Sequence, residues 1–517
     1  MYGYEKYIVL ATIIFMVWML LRERMRAGIL LFSTVVILLV CGILTPSEAL
    51  AGFSNKGVIT VALLFLVSEG VRRSDALGAV MKWIFPSRER STIRKGHLYI
   101  MSVVTAASAF LNNTPIVVIF IPHIKAWARR VGLPLKQFLI PLSYAAILGG
   151  MCTLIGTSTN LVVHGLMLEA GMEGFTMFEL GKVGGIIAVA GIAYILLFGQ
   201  RRLPSNDEVA GSGRSAASAD SYHIVEAVIG PRFPGINCAV EEFDFRGHYN
   251  ANILQIRRGG EVLGSVEGVR FREGDTLLLA SDDRFIPTWG DSSVFLILTN
   301  DNDHSPQSTS LRKWFTLGLL VAMIVGATLG DMPFMRELLP NASLDMFFWV
   351  CVVTVIMAFA GIFPAKRYTK FISWDILVTI ASALAISTAM TKSGLADWIA
   401  VSLTRLADSS APIVVLALLY VVTNIITELI TNNAAAAFAF PIAVAVAQQM
   451  ELSAMPFIVA ICIAASSSFS SPIGYQTNMI VQGIGGYSFR DFLRVGLPLN
   501  IIAFVISMIF IPVFWPF

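Results

Sequence analysis

Four times in this chain, an apolar run long enough to enter a membrane is broken in its middle by amides and hydroxyls. The first two breaks are Leu111-Asn112-Asn113-Thr114-Pro115 and Gly156-Thr157-Ser158-Thr159-Asn160. The other two are Thr431-Asn432-Asn433-Ala434 and Gly474-Tyr475-Gln476-Thr477-Asn478. Asn113 to Asn160 spans 47 positions and Asn433 to Asn478 spans 45, so the breaks form an internal repeat. At membrane depth such polar interruptions are tolerated only where protein encloses them or where they line a water-filled space. Two matched, interrupted segments in corresponding halves therefore point to a binding site between two repeats.

The rest of the composition fits a scaffold in lipid. Charged residues make up 14% and hydrophobic residues 56%, against about 25% charged in an ordinary soluble domain. This predicts a polytopic α-helical membrane protein. Its 517 residues hold about ten spans of about 20 apolar residues, with about a hundred residues left over. A net charge of +3 gives no case for a nucleic-acid partner. Cys41, Cys152, Cys238, Cys351 and Cys462 lie far apart and match no metal or disulfide spacing, so no cofactor is expected. The run from Ile8 to Leu21 follows Glu5 and Lys6 and ends without a small-residue cleavage site. It reads as a retained first span.

Basic clusters set the orientation. Arg22, Arg24 and Arg26, then Arg72 and Arg73, Arg129 and Arg130, Arg201 and Arg202, Lys366, Arg367 and Lys370, and Arg490 and Arg494 all follow apolar segments. The positive-inside rule puts them on the cytoplasmic side of the plasma (inner) membrane, with the N-terminus and C-terminus outside. Simple spans are expected near 7–21, 28–44, 57–71, 177–198, 346–363, 374–390 and 495–515, with another from Trp314 to Asp331. Re-entrant hairpins are expected at 97–127 and 412–448, and broken crossings at 136–170 and 454–488. The basic stretch from Arg72 to Lys95, with Trp83 and Phe85, reads as an interfacial helix, and Leu395 to Leu406 as a short amphipathic helix outside. An odd number of crossings separates corresponding elements, so the two halves are inverted repeats.

Three parts follow: membrane residues 1–202 with a hairpin tip near 112–115, a cytoplasmic insert at 203–311, and membrane residues 312–517 with a tip near 431–434. Pro204 to Ser221 is rich in Ser, Ala, Gly and Asp, as a linker is. Between 222 and 299, β-type runs such as 224–229, 251–256 and 274–280 are bounded by Gly, Pro or charged turns, which predicts a small α/β domain. This segment resembles the C-terminal domain of potassium-conductance regulators, the TrkA-C domain. The resemblance is carried by Gly230-Pro231-Arg232-Phe233-Pro234-Gly235, Ile253-Leu254-Gln255-Ile256-Arg257-Arg258-Gly259-Gly260 and Phe271-Arg272-Glu273-Gly274-Asp275-Thr276-Leu277-Leu278-Leu279.

The tips supply neutral ligands. Amide oxygens of Asn112, Asn113, Asn432 and Asn433, with backbone carbonyls freed at the breaks and at Thr431, suit Na⁺. The half-helix N-termini that follow suit an anion. Adjacent cation and anion places at the midplane are what coupled symport needs. The competing reading of the asparagines is interhelical hydrogen bonding, and recurrence in both halves favours a site. Gly156 and Gly474 let a carbonyl approach an ion closely, or pack helices. Thr114, Thr159 and Thr477 offer hydroxyls to substrate or ion, while Asn160 and Asn478 tie the unwound turns to their neighbours. Glu428 is an intramembrane carboxylate that ligates Na⁺, exchanges a proton or pairs structurally. Glu69, beside Arg72 and Arg73, reads as a paired interfacial group.

With these motifs assembled, the membrane part resembles the divalent anion/sodium symporter family, carriers of sulfate, phosphate and dicarboxylates within the ion transporter superfamily. The resemblance implies a homodimer whose transport domain moves as an elevator, with Na⁺ as coupling ion. The family's tips usually read Ser-Asn-Thr; here Asn112, Asn432 and Ala434 depart from that. Ala434 lacks a hydroxyl for a carboxylate, and members with a TrkA-C insert look most like sulfate transporters, so sulfate is expected ahead of dicarboxylates. The insert is then a regulatory sensor with a small ligand of its own, or a dimerising module. Rival readings are a dicarboxylate symporter, an arsenite or Na⁺/H⁺ antiporter working through Glu428, and a ligand-gated ion channel. A channel lacks support because no Thr-Val-Gly-Tyr-Gly filter appears. No paired carboxylates or nucleophile elbow suggests an enzyme.

Overall fold

A computed structural model describes residues 4–74, 92–204, 223–299, 310–330, 344–406 and 412–517, apart from 23–24, 26, 231–232, 259–260, 264–267, 282–284 and 290–293. Most of the expected interfacial helix at 72–95, of the linker at 204–221 and of residues 300–309 at the end of the insert lies outside the described residues. The described chain is mostly helical, and six of its helices are long and apolar enough to cross a membrane by length and composition. Shorter apolar helices accompany them.

The first half contains α1 (Glu5–Leu21), α2 (Ala27–Val40), α3 (Pro46–Ala51), α4 (Lys56–Arg73), α5 (Ile93–Ser108), α6 (Asn113–Val131), α7 (Lys136–Gly150), α8 (Ser158–Glu169) and α9 (Gly181–Tyr194). Local chemistry explains several boundaries. Thr45 and Glu48 form a capping box at the start of α3, which satisfies two donors that a helix start leaves open. Asn55 caps α4 by accepting from the Gly57 N–H at 2.8 Å, and donates to Gly165 O at 3.2 Å, which pins the start of α4 to α8. At the other end of α4, Glu69 accepts from Arg72 Nε at 2.8 Å and Arg73 Nε at 2.6 Å. The expected pairing of Glu69 with Arg72 and Arg73 is present.

Between the halves lies an antiparallel sheet of β1 (His223–Ile229), β2 (Ala251–Arg258), β3 (Glu261–Val262), β4 (Thr276–Ser281) and β5 (Phe295–Thr299), in the order β3-β2-β4-β1-β5. Two short helices, α10 (Phe245–Tyr249) and α11 (Phe285–Trp289), accompany it. Phe233, Phe245, Tyr249, Phe271 and Phe295 close its core. Arg258 grips the buried Asp275 with two bonds of 2.7 and 2.8 Å, the fork-on-carboxylate geometry that arginine favours.

The second half contains α12 (Ser310–Gly330), α13 (Met346–Phe359), α14 (Trp374–Lys392), α15 (Leu395–Leu406), α16 (Pro412–Leu429), α17 (Asn432–Gln449), α18 (Met455–Ser466), α19 (Gln476–Gly485) and α20 (Phe489–Phe514). Almost every residue of α7 and of α18 is buried, as expected of helices that are apolar on all sides. α5 lies along α7 and α16 along α18. Gly149 makes the first of these contacts close, because a Cβ there would overlap the Thr105 carbonyl. Small residues are the usual means of bringing helix backbones together in lipid. Pro122 in α6 and Pro441 in α17 occupy the same place, each the tenth residue of its helix.

Candidate functional site

Four helix breaks meet at the centre of the membrane part: 109–112 between α5 and α6, 151–157 between α7 and α8, 430–431 between α16 and α17, and 467–475 between α18 and α19. The breaks of the two halves are held by the same bonds. Asn160 Nδ2 donates to the carbonyls seven and ten residues before it, Thr153 O at 2.7 Å and Gly150 O at 3.0 Å. Asn478 Nδ2 donates to Ser471 O and Ser468 O, again seven and ten residues before it, both at 3.0 Å. Their Oδ1 atoms accept from Cys462 Sγ at 3.3 Å and Ser143 Oγ at 2.6 Å. Each asparagine thus supplies donors to carbonyls that the unwound turn would otherwise leave unmet.

The hairpin tips correspond in the same way, with one change to the register expected from sequence. Ser108 Oγ lies 2.7 Å from the side-chain amide of Asn113, five residues on. Thr427 Oγ1 lies 2.9 Å from that of Asn432, also five residues on. Asn113 therefore corresponds to Asn432 rather than Asn433. The cause is local: in each tip it is the first residue of the second helix that turns back to the hairpin's own hydroxyl. Thr114 then corresponds to Asn433, and the next bonds bear this out. Thr114 Oγ1 donates to Gln476 Oε1 at 3.3 Å, while Ser158 Oγ and Thr159 Oγ1 donate to Asn433 Oδ1 at 3.1 and 3.2 Å. Each tip grips the break of the opposite half.

A cavity of about 1410 Å³ opens between the tips. Of the residues singled out in the sequence, Asn112, Thr114, Thr159, Thr431, Asn432, Asn433 and Gly474 line it. Asn113, Gly156, Thr477 and Glu428 stand behind the wall. Asn113 is fully buried, with Nδ2 donating to Ala146 O at 3.0 Å and Oδ1 accepting from the Tyr475 hydroxyl at 2.5 Å. Gly156 is needed for close backbone packing, since a Cβ there would stand 2.7 Å from Gly150 O and 2.9 Å from Ser108 O. Gly474 packs in the corresponding place, where a Cβ would stand 2.7 Å from Thr427 O. Thr477 Oγ1 lies 2.9 Å from Ser143 Oγ, whose own proton goes to Asn478. Glu428 accepts from the Ser470 N–H at 2.9 Å, Asn500 Nδ2 at 2.8 Å and Ser468 Oγ at 3.1 Å. Three donors converge on that carboxylate.

Thr157, Ser158, Tyr475 and Gln476 also line the cavity, and the sequence reading assigned them no role. Their signal was their place inside the breaks themselves. Around the tips the polar lining is amides and hydroxyls, with Pro115, Val118, Pro472 and Ile473 between them. Charged lining residues such as Glu69, Arg72 and Arg258 lie further out and include groups already paired with one another. Three helices begin at this wall, α8 at Thr157, α17 at Thr431 and α19 at Tyr475, and no side chain caps any of them. Their first-turn N–H groups lack helical partners, so the cavity faces several backbone donors and the positive ends of three helix dipoles.

Comparison with known proteins gives a consistent picture. A family model described as citrate transporter (CitMHS) matches residues 13–464, and again 344–516. The chain is 29% identical to an uncharacterized transporter, sll0640, of Synechocystis, over 96% of this chain and 95% of the relative. It is 23% identical to sodium/sulfate cotransporter 1 of Chlamydomonas reinhardtii, over 90% of this chain and 84% of the relative. The crystal structure of the Alcanivorax borkumensis YdaH transporter aligns with 90% of this chain and 87% of its own, with a TM-score of 0.52 and 13% identity. That last likeness is one of fold.

Proposed function

The chain belongs to the citrate transporter family, and from that premise we propose that it is a secondary active transporter that carries a divalent oxyanion, sulfate first, together with Na⁺. The observation that carries this reading is the junction of three uncapped helix starts at a cavity whose polar lining near the tips is amides and hydroxyls. Helix N-termini suit an anion. A doubly charged anion held by neutral groups alone is poorly compensated, so co-bound cations complete the charge balance. The cation places are the oxygens around Asn112, Asn113 and Gly156, and around Thr431, Asn433 and Gly474. The substrate place lies between them, at Thr114, Thr159 and Asn433, with Ser158 and Gln476 beside them.

Sulfate is favoured over a dicarboxylate because Ala434 brings no hydroxyl to the second tip, and because relatives named sodium/sulfate cotransporters align over most of the chain. The two halves are inverted repeats on this reading, and the matched bonds at the four breaks support it. Movement is of the elevator kind, in a homodimer, with both termini outside and the sheet domain, a TrkA-C-like module, in the cytoplasm. Ligand-dependent thermal stabilisation in detergent tests the site. Sulfate should raise the melting temperature only when Na⁺ is present, and Asn433→Ala should abolish the shift. A sulfate shift of equal size in choline and in Na⁺ would remove the coupling ion from the account.

A further inference from the structure

The sheet domain docks on the two helices that lead away from the cavity. Glu226 in β1 pairs with Lys125 in α6 at 3.4 Å. Val228, two residues further along the strand and so on the same face, is buried in the apolar core of the membrane part, whereas Val225, Ala227 and Ile229 belong to the sheet domain's own core. The alternation of a strand thus sends one face of β1 into each core. Thr276 Oγ1 in β4 donates to Gly483 O in α19 at 2.9 Å. Gly274, at φ +85°, passes 3.4 Å from Met479 O measured from the position of a Cβ, and a Cβ on Gly483 would overlap the Gly274 carbonyl. The turn making these contacts is held rigid from within, because Asp275 accepts from Arg258 and from the Arg272 N–H at 2.8 Å.

The same cavity that starts at the tips runs on to this domain. Its wall includes Asn433 and Gln476 at one end, and Arg272, Glu273 and Trp289 of the sheet domain at the other. We propose that the sheet domain forms the outer wall of the cavity and, docked on α6 and α19, biases the carrier toward the arrangement in which the cavity opens on the domain's own side. On this proposal the contacts seen here belong to one arrangement of α6 and α19 and are lost in the other, and a contact made in only one of two states shifts the population toward it. Choice of anion is unaffected, because it is made at the tips. The inference rests on the carrier reading above, but its test reads cavity exposure and needs no substrate.

Ser158, on the cavity wall, is replaced by Cys in the full chain, reconstituted in vesicles with the sheet domain facing out. Its labelling by a membrane-impermeant maleimide is followed by peptide mass spectrometry. Gly483→Ala, which drives the sheet off α19, and Thr276→Val, which removes only the hydrogen bond, should each slow labelling about threefold to tenfold, the scale of one lost hydrogen bond. The double variant should be no slower than Gly483→Ala alone, since both release one contact. Hydrogen exchange in β4 should rise in Gly483→Ala. Unchanged labelling in both single variants, unchanged exchange in Gly483→Ala, or fully additive slowing in the double variant would each overturn the proposal. Should the native chain carry no sulfate while labelling behaves as stated, the transport reading fails and the docking stands.

Discussion

The hydroxyl of Tyr475, in the break of the second half, lies 2.5 Å from the side-chain amide of Asn113, in the tip of the first, and 3.0 Å from the hydroxyl of Thr157. One fully engaged phenol therefore joins the two halves at the cavity wall. Tyr475→Phe keeps the ring and removes the bond. It should cost about 1–3 kcal/mol of stability, the price of a buried polar partner left unmet. The check is a lower denaturation midpoint in detergent with the oligomeric profile retained, alongside reduced uptake.

Asn160→Ala and Asn478→Ala each delete two bonds to break carbonyls. Both variants should lose stability and transport together, by similar amounts, because the two asparagines do the same work. Thermal unfolding monitored with uptake decides this. A stable, inactive Asn478→Ala protein would show that the residue meets ligand instead.

Asn433→Ala has a different signature. Asn433 lines the cavity and its Oδ1 accepts from Ser158 and Thr159, so its loss should abolish uptake, with a smaller loss of ligand-free stability than at the fully buried Asn113. Asn113→Ala should abolish uptake and also lower stability, since Asn113 is fully buried. Normal uptake in both variants would sink the proposed site.

Glu428→Gln discriminates between a coupling carboxylate and a structural one. Gln brings an NH₂ against groups that are already donors, at a cost of about 1–3 kcal/mol. The Na⁺ dependence of uptake should keep its steepness. Loss of the Na⁺ dependence would make Glu428 a coupling carboxylate.

Replacing 223–299 by a short linker should leave the ratio of sulfate to succinate uptake within about twofold, a difference below 1 kcal/mol. Competition assays measure it. A changed ratio would place the sheet domain in substrate choice.

The helix breaks were legible in the sequence because an amide inside an apolar run has few physical explanations, and Asn112, Asn113, Thr431 and Asn432 do stand at helix breaks. The register was less legible. Counting from paired asparagines favoured Asn433 as the partner of Asn113, whereas the bond partner is fixed by Ser108 and Thr427, hydroxyls that carry no mark in an apolar helix. Tyr475 escaped notice because an aromatic in a membrane segment reads as packing, and its role depends on a contact 362 residues away in the chain. Docking of Thr276 on Gly483 was equally hidden, since a strand residue and a helix carbonyl have no shared pattern.

The most direct test of the central claim is uptake of radiolabelled sulfate into proteoliposomes containing the purified chain, with and without an inward Na⁺ gradient. The account predicts saturable sulfate accumulation that requires the gradient and resists excess succinate. Gradient-driven succinate uptake with no sulfate uptake would contradict the substrate assignment, and no sulfate uptake under any cation gradient would contradict sodium-coupled oxyanion symport itself.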